Sequence, residues 1–305
     1  MKRLLLRRLL LAFPVLLAVS IASFLLVHLV PGDPVDYMIG ESAVPQAKAA
    51  LRAELHLDRP LPEQYLLFVR DLAGGRLTSL HTHEPVLPTL VRRFAWTFVL
   101  AIAAMLVAIC IAIPVGAISA VRAGTAVDHA SMTAALAGVS MPTFWLGPLL
   151  ILFFSFKLNW LPVAGARTPL SLVLPAITLG SGMAAILARM TRASMLETLH
   201  LEYVTAARAR GLSERQVIVR HALRNALIPV VTMLGLQFGA LLSGSIITEE
   251  IFAWPGLGRE IVESVRSRDF PTFQGAVLLV AATYLVVNLL TDAAYAALDP
   301  RVRES

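Results

Sequence analysis

The chain of 305 residues carries 26 Lys and Arg against 20 Asp and Glu, is 57% hydrophobic and only 15% charged, and has a mean hydropathy of +0.73. Its apolar residues gather in long runs, which excludes an ordinary soluble domain and indicates a polytopic membrane protein. A lone cysteine, Cys110, excludes a disulfide framework and a multi-cysteine metal site, and basic residues clustered beside apolar runs, without interleaved aromatics, argue against nucleic acid as a partner.

A ~30 Å hydrocarbon core requires roughly 20 residues of helix. Six runs reach that length, at about 9–30, 95–121, 133–156, 170–188, 229–248 and 275–297. The first follows Lys2, Arg3, Arg7 and Arg8, the layout of a signal peptide. Its apolar part exceeds the ~7 to 15 residues of a signal core, and PGDP stands where small residues for cleavage are needed, so it reads as an uncleaved membrane helix. In the loop 31–94, VPQAKAALRAELHL and EQYLLFVRDL read as amphipathic helices separated by a DRPLP turn. They lie on the outer membrane surface or cap the bundle. His81 and His83 lack a third ligand nearby and read as solvated side chains.

Small residues recur every fourth position, on one helix face. The second run has Ala104, Ala108, Ala112, Gly116 and Ala120; the fourth has Ala176, Gly180, Ala184 and Ala188; the fifth has Gly235, Gly239 and Ser243. In lipid such stripes let helix backbones approach closely. Pro114, Pro142, Pro148 and Pro175 lie inside runs and are expected to kink them. Intramembrane polar residues are few: Gln237, the pair Asn288 and Asp292, and His28 near an outer end. Asp292 falls close to the inner end of its run and reads first as a cap or helix-pairing residue, then as a pathway group.

Basic residues set the orientation. Lys2, Arg3, Arg7, Arg8, Arg122, Arg301, Arg303 and the arginines of 189–225 all fall on one side, which places both termini and that central segment in the cytoplasm. The domain reading is therefore an N-terminal helix with its extracytoplasmic loop (1–94), a transmembrane core (95–298) with a cytoplasmic coupling loop at 189–228, and a short tail (299–305). No GxxxxGK[ST], HExxH or GxSxG motif is present, so the chain reads as a pore or carrier module whose energy source lies elsewhere. A secondary transporter would need inverted repeats and ion-coupling groups, and neither stands out.

The central segment carries Arg189, Arg192, Arg208, Arg210, Arg215, Arg220 and Arg224. Within it EYVTAARARGLS reads as a short helix ending at Gly211, with small residues rimmed by arginines. TAARARGL resembles the EAA loop of bacterial ABC-importer permeases, the cytoplasmic helix that docks on an ATP-binding subunit. Thr205 stands where that motif has glutamate, Ala206 and Ala207 match its alanines, and Gly211 its glycine. PGDPVDYMIG, LRAELHLDRPLPEQY, SMPTFW, LPAITLG, EEIFAWPGLGREIVESVRSRDFPTFQG and NLLTDAAYAALDPRVR are similar to the dipeptide/oligopeptide branch, the peptide/opine/nickel permeases; GGRLTSL at 74–80 departs from its usual pattern.

The resemblance implies an all-α, type I ABC-importer permease fold with six transmembrane helices. It also implies a bacterial inner-membrane location and alternating access driven by two separate ATPase subunits, which bind the ATP and Mg. A homologous second permease and an extracytoplasmic solute-binding protein would complete the assembly. The coupling residues carried over are Glu202, Thr205, Ala206, Ala207, Arg208 and Gly211. Peptide, glutathione, opine and nickel stay open as cargo.

Overall fold

The computed structural model describes residues 2–29, 35, 44–54 and 56–298. Among these the chain is almost entirely helical, with one isolated bridge, Thr78 to Pro85. PGDPVDYMIG, apart from Val35, and the tail 299–305 lie outside the described residues, as do the side chains of His28 and Asp292. Two compact units are present: Ala95–Arg259 with the chain from Thr283 onward, and Lys2–Phe94 with Glu260–Ala282.

In the second unit, α1 (Lys2–Leu29) is followed by the two amphipathic helices expected in the first loop, α2 (Pro45–Glu54) and α3 (Leu61–Ala73). Phe24 of α1, Phe68 of α3 and Leu278 form a buried cluster, joined by Tyr65, whose hydroxyl is 2.7 Å from that of Ser20. Asp269 accepts hydrogen bonds from Ser79 Oγ at 2.5 Å, the Leu80 N–H at 3.0 Å and Thr272 Oγ1 at 2.7 Å, so one carboxylate fixes the loop that holds His81 and His83.

In the first unit the expected runs become helices, though not always with the expected ends. The second run lies in α4 (Val86–Val121), which starts nine residues early. The fourth becomes α7 (Val173–Leu199), entered through a 3-10 turn at Pro169–Leu172, and it outlasts the expected 188 by eleven residues. The fifth overlaps a candidate span, Glu214–Leu242, which opens with one α-helical turn at Glu214–Gln216 and a π-helical stretch at Val217–Leu223, and its last residues fall in a separate short helix that starts at Ile246. Hydropathy marks where a helix meets lipid, and the backbone ladder runs on through polar residues until a cap stops it. The segment 189–225 is thus mostly helix, and only 200–213 joins the two long helices.

The third run is broken. α5 (Ala126–Ser140) and α6 (Thr143–Leu150) meet at a 99° bend. Pro142 dictates the place: the residue before proline is forced out of the helical region, and Met141 sits at φ −81°, ψ 116°. α6 then continues as a π-helical stretch, Ile151–Lys157, beyond Pro148. Pro114, by contrast, is carried inside an unbroken α4. Among the described residues four helices are long and apolar enough to cross a membrane, or five if the bent pair counts as one span; the apolar stretch of α1, Leu10–Leu26, is shorter.

The small-residue stripes are the contact surfaces. Ala104, Ala108, Ala112 and Ala120 of α4 are buried, as are Ala176, Ala184 and Ala188 of α7. A Cβ placed on Gly180 would stand 2.6 Å from the Ala104 carbonyl oxygen, and one on Gly116 would stand 2.6 Å from that of Ala188. The two helices therefore run parallel at backbone contact. In α9 (Arg224–Gly244) Gly235 faces Thr291, and Gly239 faces Val287.

Where α4 and α7 approach the joining segment, one buried carboxylate staples three elements. Asp128 of α5 is 2% exposed and accepts a bidentate pair from Arg192 of α7, Nε and Nη2 each at 2.7 Å. Ser119 Oγ of α4 and the N–H of Gly124 complete its shell.

Two expectations follow. Gly180→Val forces the α4–α7 contact apart and lowers stability by about 3 kcal/mol, at the upper end of overpacking costs, measured as a fall in the melting temperature of the detergent-solubilised protein. Arg192→Ala leaves the Asp128 carboxylate without its counter-charge and lowers the melting temperature, whereas the double substitution Asp128→Ala/Arg192→Ala recovers part of that loss in the same assay.

Candidate functional site

The joining segment is built to hold one short helix in a fixed attitude. α8 (Glu202–Ala209) has an acid, Glu202, in its first turn, where the helix dipole favours negative charge. It ends because Gly211 takes φ +80°, a left-handed conformation natural to glycine at this position, while its N–H donates to the Arg208 carbonyl at 2.9 Å. The chain then turns through Leu212 into a capping box, in which Ser213 and Gln216 cap one another and start the next helix.

One face of α8 is buried. Val204 and Ala207 pack with Val217 beneath them, flanked by Leu199 from the end of α7 and by Leu212. Tyr203 adds a polar tie: its hydroxyl donates to the His221 carbonyl at 3.3 Å and accepts from Asn225 Nδ2 at 2.7 Å. Behind this layer a second cluster joins Ala120 of α4, Met195 of α7, and Ala222 and Ala226 of the following helix. α8 is therefore wedged between the end of α7 and the start of the run into α9.

The opposite face is open. Glu202, Thr205, Ala206, Arg208, Ala209 and Gly211 are exposed, so a shallow, small-residue surface is presented outward. Ala207 is not part of it, being 1% exposed and turned into the cluster. Arg208, read from the sequence as part of a basic rim, is engaged within the segment: it binds Glu214 through Nη2 at 2.8 Å and Nε at 3.2 Å. That carboxylate holds the guanidinium still further above its ordinary pKa. The Asp128–Arg192 staple was not legible from the sequence, since its partners are 64 residues apart.

The intramembrane polar residues are more dispersed. Gln237 of α9 and Asn288 of α12 (Phe270–Leu298) are half-buried, and neither side chain has a hydrogen-bond partner among the described residues. Asp292 lies on α12, with its side chain outside the described set. Among the described residues no group of three or more His, Cys, Asp or Glu is placed to hold a metal ion.

Comparison with known proteins gives one answer along the whole chain. Residues 112–304 match the family "Binding-protein-dependent transport system inner membrane component", and residues 1–101 match its N-terminal counterpart. The glutathione transport system permease protein GsiC of Pectobacterium atrosepticum is 46% identical over 97% of both chains. The dipeptide transport system permease protein DppB of Escherichia coli K12 is 42% identical over 99% of both. Among solved structures, an inward-facing form of the MetNI methionine ABC transporter shares the fold, with a TM-score of 0.60 and 21% identity over 71% of this chain and 99% of that one. A full-length match at these identities, carried on a helical membrane core with an exposed, braced α8, places this chain in the binding-protein-dependent transport system inner membrane component family, the permeases of ABC importers.

Proposed function

We propose that this chain is one permease of a heterodimeric peptide importer in a bacterial inner membrane, crossing it six times with both termini in the cytoplasm. In this reading a homologous second permease sits beside it, two ABC ATPase subunits bind below, and an extracytoplasmic solute-binding protein delivers cargo above. The observation that carries the proposal is α8: a short helix exposed on one face and clamped on the other between α7 and α9.

The mechanism follows from that clamping. A force applied to the open face by a closing ATPase dimer meets Val204 and Ala207, which have no room to yield against Val217 and Leu199. The displacement passes into α7 and, through Val217, into the helix leading to α9. α7 is locked to α4 by the Gly180 and Gly116 contacts and to α5 by Arg192, so these helices shift as a block. Alternating access is then a motion of the block, with Gln237 and Asn288 as candidate pathway or helix-pairing groups and Asp292 beside them. Thr205, Ala206 and Gly211 form the docking floor, Glu202 supplies its charge, Ala207 sets its height, and Arg208 fixes the turn through Glu214.

Peptide cargo is supported by the names of the full-length relatives, one a dipeptide and one a glutathione permease, both peptidic solutes with free carboxylates. Nickel or an opine remains the alternative cargo of the same machine; an ATP-independent secondary carrier is the alternative of another class.

Ala206→Trp tests the docking surface directly, because residue 206 is exposed on the open face of α8. The variant inserts in the membrane and keeps its melting temperature, but it no longer co-purifies with the ATPase subunits, and peptide-stimulated ATP hydrolysis in liposomes is lost. Normal co-purification removes the assignment. Gly211→Ala is milder: a side chain at φ +80° costs about 1 kcal/mol, read as a small fall in melting temperature with partial loss of coupling.

A further inference from the structure

At the end of α7 remote from α8, two loops line an open cavity of about 530 Å³. α7 has 27 residues, so this cavity and the docking helix are separated by ~40 Å at 1.5 Å per residue. It is lined by Pro162, Ala164, Gly165, Arg167, Thr168 and Ser171 from the segment before α7, and by Ala253 and Arg259, the latter in the first turn of α11 (Leu257–Arg266).

Its charge is one-sided. No carboxylate lines the cavity, and among the described residues neither Arg167 nor Arg259 makes an ion pair. Among the described residues Arg167, which is exposed, finds no partner, and the Arg259 guanidinium donates only to a neutral acceptor, the Ala253 carbonyl, through Nη1 at 3.0 Å. The hydroxyls of Thr168 and Ser171, 3.3 Å apart, add neutral donors on the same wall.

The site is also rigidly founded. The Gly165 N–H donates to the Phe252 carbonyl at 2.8 Å, which clips one loop to the other. Ala253 is held at φ +47°, turning its carbonyl to the Arg259 guanidinium. Beneath the turn, fully buried Glu249 of α10 (Ile246–Ile251) accepts from Thr97 Oγ1 at 2.7 Å, Ser245 Oγ at 2.8 Å and the Arg259 N–H at 3.1 Å. Glu249 fixes where Arg259 begins and does not itself reach the cavity wall. Trp254 seals the turn with a hydrogen bond from Nε1 to the Trp96 carbonyl at 3.0 Å.

We infer that this cavity is an entry subsite that takes the free carboxylate of a small peptidic solute between Arg167 and Arg259. Two guanidiniums without counter-charge on a founded wall suit a carboxylate: each offers a planar fork of donors, and the two hydroxyls complete the set. The inference rests on the importer reading in one respect, that solute enters from the end opposite α8.

The test reads the site without the ATPases, so that its failure is distinct from failure of the coupling assignment. In a Cys110→Ser background, Ala164→Cys places a thiol at the cavity edge of the permease in nanodiscs. Anionic sulfonatoethyl methanethiosulfonate labels it about ten-fold faster than the cationic trimethylammonioethyl reagent, as expected for a focused positive potential. Arg167→Gln, at an exposed position that leaves the fold intact, cuts that ratio several-fold, and Arg259→Gln does the same. Dialanine slows the labelling, and dialanine amide, which lacks the carboxylate, does not. A ratio that Arg167→Gln leaves unchanged, or equal protection by dialanine and its amide, overturns the proposal.

Discussion

The backbone contact between α4 and α7 is the constraint on which the rest of the core unit depends. In lipid no hydrophobic force draws one apolar helix to another, so association rests on dispersion and on how closely the backbones approach. At Gly180 and Gly116 the partner carbonyls occupy the space a methyl group would need, and alanine fills the turns between. With α4 and α7 fused over several turns, α7 becomes a stiff strut. One of its ends stands beside the two-arginine cavity, and the other hands Leu199 to the cluster under α8.

The polar contacts complete what the stripes begin. Asp128 and Arg192 pin the end of the strut to α5 near where the helices leave the apolar zone, and a bidentate pair there fixes rotation as well as separation. Glu249 does the corresponding work at the other end, binding the turn before α11 to Thr97 on α4. Each carboxylate is buried and fully met by donors, so each acts as a joint between elements distant in sequence.

Much of this was legible in the sequence, and the reason is periodicity. The stripes 104–120 and 176–188 were readable because an alanine or glycine every fourth residue has one physical use in a membrane helix, and both lie at the contact. The helices of 44–73 and the end of α8 at Gly211 were readable from local patterns. What failed was whatever depended on partners. Helix ends were placed where hydropathy falls, although α7 runs eleven residues further, and Ala207, grouped with the other small residues of this segment by spacing and motif, is buried within the fold. Val204 and Ala207, three residues apart with Leu199 and Leu212 flanking them, already mark an inward face. The salt bridge of Asp128 with Arg192 and the hydrogen bonds of Glu249 to Thr97 left no local trace, because their partners lie 64 and 152 residues away.

The substitution of Thr205 for the glutamate usual in the resembled motif can be understood in the same terms. Exposed ion pairs stabilise an interface by little, a median of about 0 to 1 kcal/mol, while a bulky group in a shallow contact separates the surfaces outright. Around Thr205 the chain keeps its small exposed residues, Ala206, Ala209 and Gly211, and engages Arg208 internally with Glu214. One exposed acid persists in the first turn at Glu202, where the helix dipole also favours it. In the proposed coupling role the demand on this segment is a low floor at a fixed height above Val217, and the identity of the acid that faces a partner is secondary to it.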